Sequence, residues 1–500
     1  MAAENSSTSG TSLTIRLATF LFPPAGLLLL LRARPTRGKL IGGLLFITLY
    51  SFPYSALVVA ALVKTQVLHL EWRGAGVPHL TPHPTRPDFD RLETHRESQQ
   101  AANGARRTGG TYWPGFRGTD RSGRYLEQPV HLAWDEQPPK LLWRQPIGGG
   151  YASFAVAHGV AYTIEQRRAD EVVTAYDVAT GAELWATAWP AHFDERMGGD
   201  GPRATPTWYD GRVYALGGTG EFRCLDGDSG DTLWRRQVLN DTVATPLHYG
   251  ACTAPLIVGD AVVVVGGNPA GARGRGLIAY HRENGEILWQ AIEEKMGYAS
   301  PAWASVAGTD QILVFTGHRF LGLDPAAQAV LWQFPWQINY DNAIAQPVIV
   351  STNEIFISAG YGKGGALLTI EDHEGRWTVE PRWENIFLKN KFSSSVLHDG
   401  FLYGLDNDIL VCLDVVTGRK QWKDGRYGYG QIILVHDHVI VLCGDGDLAL
   451  VKCNPVAHEE VARIAALDGK TWNHPALSDG RLLIRNSATM ACYDLRRDPP

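Results

Sequence analysis

The chain reads as an all-β, eight-bladed β-propeller of four-stranded blades, with an N-terminal strand closing the last blade and an N-terminal transmembrane helix or helical hairpin. Three observations predict this. An Asp-turn-Trp pattern recurs five times, eight short apolar strands open on small or polar residues, and residues 40–63 form an apolar run without a charge.

The repeat sets the fold. In the pairs Asp177/Trp185, Asp226/Trp234, His281/Trp289, Asp324/Trp332 and Asp414/Trp422 the two residues stand eight positions apart, and Gly181, Gly230, Gly285 and Gly418 fall between four of them. Asp accepts backbone N–H groups at a turn entrance and Gly takes a positive φ at little steric cost, so each unit predicts a hairpin. The Trp then falls on an outer strand, where a large ring fills the gap to the neighbouring blade. Intervals of roughly 40–55 residues between these Trp suit four short strands per repeat.

Candidate inner strands open near Tyr151, Arg203, Thr253, Tyr298, Asn342, Lys391, Tyr429 and Asn473. They count eight blades, with seven as the alternative. Repeats ending near Trp383 and Arg463 keep the inner strand but lose the Asp-Gly-Trp turn. The last repeat stops at Cys492-Tyr493-Asp494 without a fourth strand, while a strand of the missing character, residues 139–143, precedes the first repeat. Joining the two completes the eighth blade and removes an open sheet edge.

At about 1.5 Å per residue, residues 40–63 can span a hydrocarbon core about 30 Å thick. Residues 13–31 are a weaker candidate, interrupted by Arg16 and Pro23-Pro24. Arg32, Arg34, Arg37 and Lys39 lie between them. Positive-inside logic puts these cations in the cytoplasm whether one segment spans or both, so the propeller is expected on the extracytoplasmic, periplasmic side. No short apolar stretch is followed by a small-residue cleavage site, which predicts a retained anchor rather than a cleaved signal. No Cys precedes Cys224, so a lipid anchor is not expected. The expected organisation is a polar tail (1–12), a membrane segment (13–63), a flexible linker (64–110) and the propeller (111–500).

The first 110 residues hold 12 of the 46 Lys and Arg but only 6 of the 52 Asp and Glu, leaving the remainder at a net −12. So acidic a propeller does not suit phosphate backbones, and nucleic acid is excluded as a partner. Six cysteines are too few for a disulfide scaffold of this size. Cys224, Cys412 and Cys492 occupy one place in three repeats and read as small buried strand residues; Cys443 and Cys453 could meet across one hairpin, which stays open.

The Asp-x-x-Thr-Gly-x-x-x-Trp turn resembles the pyrroloquinoline-quinone (PQQ) repeat family of quinoprotein-type propellers, over about residues 139–495. The stretch Trp113-Pro114-Gly115-Phe116-Arg117-Gly118, with Gly123 after it, is similar to the opening motif of bacterial membrane-associated members. The resemblance implies one of two activities. One is PQQ-dependent alcohol-type dehydrogenation, usually with Ca²⁺. The other is non-catalytic scaffolding, as in the propeller lipoprotein of the outer-membrane β-barrel assembly machinery. The adjacent cysteines that several such dehydrogenases set against the cofactor do not occur here, nor does a Cys-x-x-Cys-His haem site. The expected function is therefore a membrane-tethered, extracytoplasmic binding or scaffold module, non-catalytic, with a protein or a small anion as partner. The alternative is a PQQ-dependent dehydrogenase with an atypical site, PQQ with Ca²⁺ being the cofactor the resemblance allows.

Residues that open inner strands face a propeller's central channel. Tyr151, Arg203, Tyr298, Asn342, Lys391, Arg426, Tyr429, Trp472 and Asn473 are therefore the expected ligand-binding mouth. Arg203, Lys391 and Arg426 would pair carboxylates and Trp472 would stack on a planar ligand. No catalytic residue and no metal site is assigned. Glu165 is a candidate metal or base carboxylate, weighed against a surface Glu paired with a neighbouring Arg. The turn at Asp226, Asp228 and Asp231 lacks the distal Glu of a calcium loop. The Gly-rich stretch 266–276 lacks the Lys-Ser/Thr of a phosphate loop and reads as an exposed inter-strand loop.

Overall fold

The structure, a computed structural model, describes residues 29, 30, 32, 37–74, 76, 78–99, 110–195, 198–326 and 328–497. The chain divides into two units, residues 1–71 with 78–84 and residues 72–77 with 85–500. The first unit holds a helix, Arg37–Lys64, and a two-stranded hairpin in which His69–Glu71 pairs with His79–Thr81. Residues 43–64 of the helix have a mean hydropathy of 1.8, and by length and composition it can cross a membrane. Leu45, Leu49, Phe52 and Leu57 are exposed along it. The expected polar tail (1–12) and nearly all of the apolar segment 13–31 lie outside the described residues.

The second unit is a ring of eight antiparallel blades. Blade 1 is Ala155–Ala157, Val160–Arg167, Asp170–Asp177 and Glu183–Pro190; blades 2 to 7 follow in chain order over 207–237, 256–291, 302–335, 348–385, 396–426 and 431–465. Blade 8 joins Ala476–Ser478, Arg481–Arg485 and Thr489–Asp494 to Lys140–Pro146, with Cys492 opposite Trp143. The ring thus closes through the strand expected from the sequence. Apolar side chains fill the gaps between blades: Phe222, Trp234 and Tyr280 between blades 2 and 3, and Phe154, Ile433 and Leu483 where blades 7, 8 and 1 meet. Each such fully buried side chain contributes about 2 kcal/mol. All six cysteines are free, Cys443 and Cys453 included.

The repeat has a physical origin in these gaps. Asp177 and Asp414 each accept two bonds at 2.8 Å, from the N–H and hydroxyl of Thr180 and of Thr417. The indole N–H of four outer-strand Trp then reaches the Asp-type turn of the next blade. Trp143 donates to the Val178 carbonyl at 2.9 Å, Trp185 to Gly227 at 3.1 Å, Trp234 to Arg282 at 3.0 Å and Trp383 to Val415 at 2.9 Å. Each acceptor directly follows the turn's Asp, or His281 in its place. The turn glycines sit against the same rings. A Cβ on Gly181, Gly230, Gly285 or Gly418 would come within 2.8 Å of Trp143, Trp185, Trp234 or Trp383 respectively. These glycines answer two demands at once, a positive φ and a close approach. Trp383 persists in a blade that has lost its own turn because blade 6 still presents one. Blade 5 presents none, and Trp332 donates instead to Gln311 within its own blade, at 2.6 Å.

Residues 113–125 cross the axis and close one end of the channel. Trp113 bridges to Val156 of blade 1, Pro114 accepts from Trp208 of blade 2, and Arg124–Tyr125 adds a parallel strand to blade 7. Arg121 donates to the carbonyls of Pro255 at 2.6 Å, Ala254 at 3.2 Å and Pro301, from blades 3 and 4. Arg117 donates to Ser122 at 2.8 Å and to Ser395, ahead of blade 6, at 3.1 Å. Both guanidinium groups are buried, and burial lowers them to about 10 for Arg117 and about 9 for Arg121.

The expected flexible linker (64–110) needs correction within its span. Phe89–Ser98 is a helix capped by Asp88, and it docks on the propeller. Its His95 bonds Gln145 at 2.8 Å, and Arg96 reaches the Pro146 carbonyl at 3.1 Å and Glu183 at 3.2 Å. Leu92 is its one buried apolar residue, so a polar composition concealed a helix held by charge and hydrogen bonds.

Candidate ligand funnel

The open end of the channel is built from positions set by the blades. Four residues before the inner strands stand Tyr151, Arg203, Cys252, Tyr298, Ile344 and Trp472. All six line a cavity of about 760 Å³. Two residues further along runs a hydroxyl belt that ties blades together. Thr205 accepts from the Ser153 N–H, Ser300 from the Ala254 N–H and Ser394 from the Gln346 N–H, each at 2.9 Å. Below the belt, Phe116 of the plug and His474 form the floor. His474 donates from Nδ1 to the Pro475 carbonyl at 2.7 Å and turns Nε2 towards Arg117 at 3.4 Å. Burial, with Arg117 beside it, lowers its pKa to about 3, so the imidazole is neutral.

The wall is aromatic and cationic. Arg203 lies 5.4–5.6 Å from the ring centres of Phe193, Tyr151 and Tyr249. Its Glu195 partner is 3.4 Å away, and that same carboxylate oxygen accepts from Gly198 N–H at 2.6 Å. Lys391 donates to the Tyr429 hydroxyl at 2.8 Å and lies 5.3 Å from the rings of Tyr361 and Phe392. Lys295 is paired with Asp341 at 2.8 Å. Cys252 is a poor nucleophile, because burial raises its thiol to about 11.

Of the nine residues expected at the mouth, Tyr151, Arg203, Tyr298, Asn342, Lys391 and Trp472 line the cavity. Tyr429 stands directly behind Lys391. Arg426 does not join them: it ends the outer strand of blade 6, exposed, paired with Asp408 at 2.7 Å. Asn473 points into the wall, donating to the Gly150 and Ala152 carbonyls, because neighbours along an extended chain face opposite ways. Trp472 is already packed, with Lys470 4.3 Å from its ring centre and the rings of Tyr151 and Phe392 at 5.7 and 4.9 Å. Sequence reasoning missed Phe116, Glu195, Tyr249, Asp341 and Tyr361, which come from the plug and from loops outside the repeat pattern.

Glu165 is neither a metal ligand nor a surface residue. It is fully buried, accepting from Gly148 N–H at 2.6 Å, Arg167 at 2.7 Å and the Tyr176 hydroxyl at 3.0 Å. Burial would raise its pKa, but Arg167, Arg485 and Arg96 hold it below the ordinary value. Among the described residues no three or more His, Cys, Asp or Glu cluster to hold a metal ion. The funnel's cations suit a polycarboxylate such as PQQ. Its two carboxylates, each engaged by a cation, do not suit the calcium that would accompany it.

Comparison with known proteins places this geometry among relatives. A PQQ-repeat family model described as outer membrane protein assembly factor BamB matches residues 169–424, just over half of the chain. The outer membrane protein assembly factor BamB of Yersinia pestis is 21% identical over 285 residues, covering 53% of this chain and 69% of that protein. Among solved structures, a europium-containing methanol dehydrogenase superposes with a TM-score of 0.55 at 12% identity, over 73% of this chain and 88% of that one. BamB from Moraxella catarrhalis superposes with a TM-score of 0.50 at 15% identity, over 71% of this chain and 99% of that one. At such identities the structural likeness is one of fold.

Proposed function

The chain belongs to the PQQ-repeat propeller family described as outer membrane protein assembly factor BamB, and from that premise we propose that it is a membrane-tethered, extracytoplasmic binding or scaffold module without catalysis. The observation that carries the reading is the funnel's pairing pattern. Glu195 and Asp341 are neutralised by cations, and Cys252 and His474 are buried away from useful ionisation. None of these four side chains is left poised as a general base, nucleophile or metal donor, whereas the cationic and aromatic wall suits recognition. The helix Arg37–Lys64 is the anchor, with Arg32, Arg34, Arg37 and Lys39 holding its N-terminal end in the cytoplasm. The matching family model and the Yersinia pestis relative are assembly factors by name, which favours a protein partner at the membrane.

The test is a titration of the full-length protein in detergent with PQQ and Ca²⁺, followed by absorbance and by dye reduction with simple alcohols. No alcohol-dependent dye reduction is expected, whether or not PQQ binds the funnel. Dye reduction that requires PQQ would replace this reading with a quinoprotein dehydrogenase. Carbonate extraction and protease protection of native membranes test the anchor, the propeller being expected to stay with the membrane and to be digested only from the extracytoplasmic side.

A further inference from the structure

Blades 2 and 6 stand four places apart in a ring of eight, so Arg203 and Lys391 face each other across the funnel. Each is caged by three aromatic rings, Arg203 by Tyr151, Phe193 and Tyr249, and Lys391 by Tyr361, Phe392 and Tyr429. A ring face steadies a cation through its quadrupole without neutralising it. Lys391 has no carboxylate partner among the described residues. Among the described residues Arg203 makes two long bonds, 3.4 Å to Glu195 and 3.4 Å to the Gly199 carbonyl, and its buried Nε has no partner. Lys295, on the same wall, is by contrast closely paired, with Asp341 at 2.8 Å. Two opposed, under-satisfied cations in a cavity of about 760 Å³ are unusual, because leaving charge short of partners is costly.

We infer that the funnel is a receptor site for an elongated organic dianion, one acidic group bonding Arg203 and the other Lys391, with an aromatic or apolar middle against the tyrosine wall. A neutral occupant would leave Lys391 without an acidic partner and Arg203 on its long contacts alone, and a monoanion would serve one wall only. The inference rests on the non-catalytic binding reading and names the ligand class of its site.

The experiment is calorimetric titration of the full-length protein in detergent. The probes are biphenyl-4,4′-dicarboxylate, terephthalate and suberate, against biphenyl-4-carboxylate and benzoate. At least one dicarboxylate binds saturably, and its monocarboxylate counterpart binds about tenfold more weakly or worse. Arg203→Gln and Lys391→Gln each lower the dicarboxylate affinity by about tenfold or more, and Arg426→Gln leaves it unchanged. Arg203→Lys and Lys391→Arg, which keep the charge, retain binding and serve if a glutamine variant does not fold. Absence of binding by every probe, equal binding of mono- and dicarboxylates, or indifference to either glutamine substitution overturns the inference. The binding reading itself fails separately, by PQQ-dependent dye reduction.

Discussion

Arg121 at the closed end of the axial channel and Arg203 at the open end are both guanidinium groups beside the propeller axis, yet their circumstances are opposite. Arg121 is sealed within the plug and meets the Ala254, Pro255 and Pro301 carbonyls, the Pro255 oxygen also accepting from the Thr207 hydroxyl. Arg203 faces a cavity, rests on rings, and has a buried Nε without a partner. One arginine completes the backbone's hydrogen bonding; the other keeps donors in reserve. Residue type therefore does not separate structure from recognition, and partner satisfaction does.

The largest expected effect tests the closed end. Arg121→Met strips donors from three buried carbonyls and should cost about 3 kcal/mol or more, read as a lowered guanidinium midpoint. A silent substitution would mean that the plug is not the keystone its bonds describe. An intermediate effect concerns His474, which lies between the two ends with Arg117 against its Nε2. Its folded pKa of about 3 is below the ordinary 6.5, so the unfolded chain gains the proton first as pH falls. The stability it contributes is complete above about pH 6.5 and is lost progressively towards about pH 3, with about 3 kcal/mol gone near pH 4.5. His474→Gln should flatten that part of the pH–stability curve, and an unchanged slope would assign it to Glu165 and other carboxylates. The smallest effect belongs to the open end. Lys391→Met breaks no ion pair and loses one bond to the Tyr429 hydroxyl, so it should change the folding free energy by about 1 kcal/mol or less. A large loss there would make the funnel's cations structural after all.

The fold was legible because each blade repeats one local solution. The Asp and Gly of a turn shape one hairpin and so set the Trp of its outer strand eight residues after the Asp, a spacing that recurs from blade to blade. The mouth was legible where it follows that register, at Tyr151, Arg203, Tyr298 and Trp472, and illegible where it does not. Arg426 is a cation near a strand end, but on the outer strand. Asn473 is one residue out of phase and turns into the wall. The helix Phe89–Ser98 escaped notice because Leu92 is its one apolar anchor.

By itself the sequence determined the eight repeats, the closing strand and the apolar helix, because hairpin turns, strand alternation and apolar runs are near-neighbour properties of a chain. Only the tertiary structure decided which end of the channel is closed and which arginines are spent there. Arg117 meets Ser395, Arg121 meets Pro301, and Lys391 faces Arg203 across the ring. Residues so distant along the chain share no local pattern, and ring closure alone brings them together.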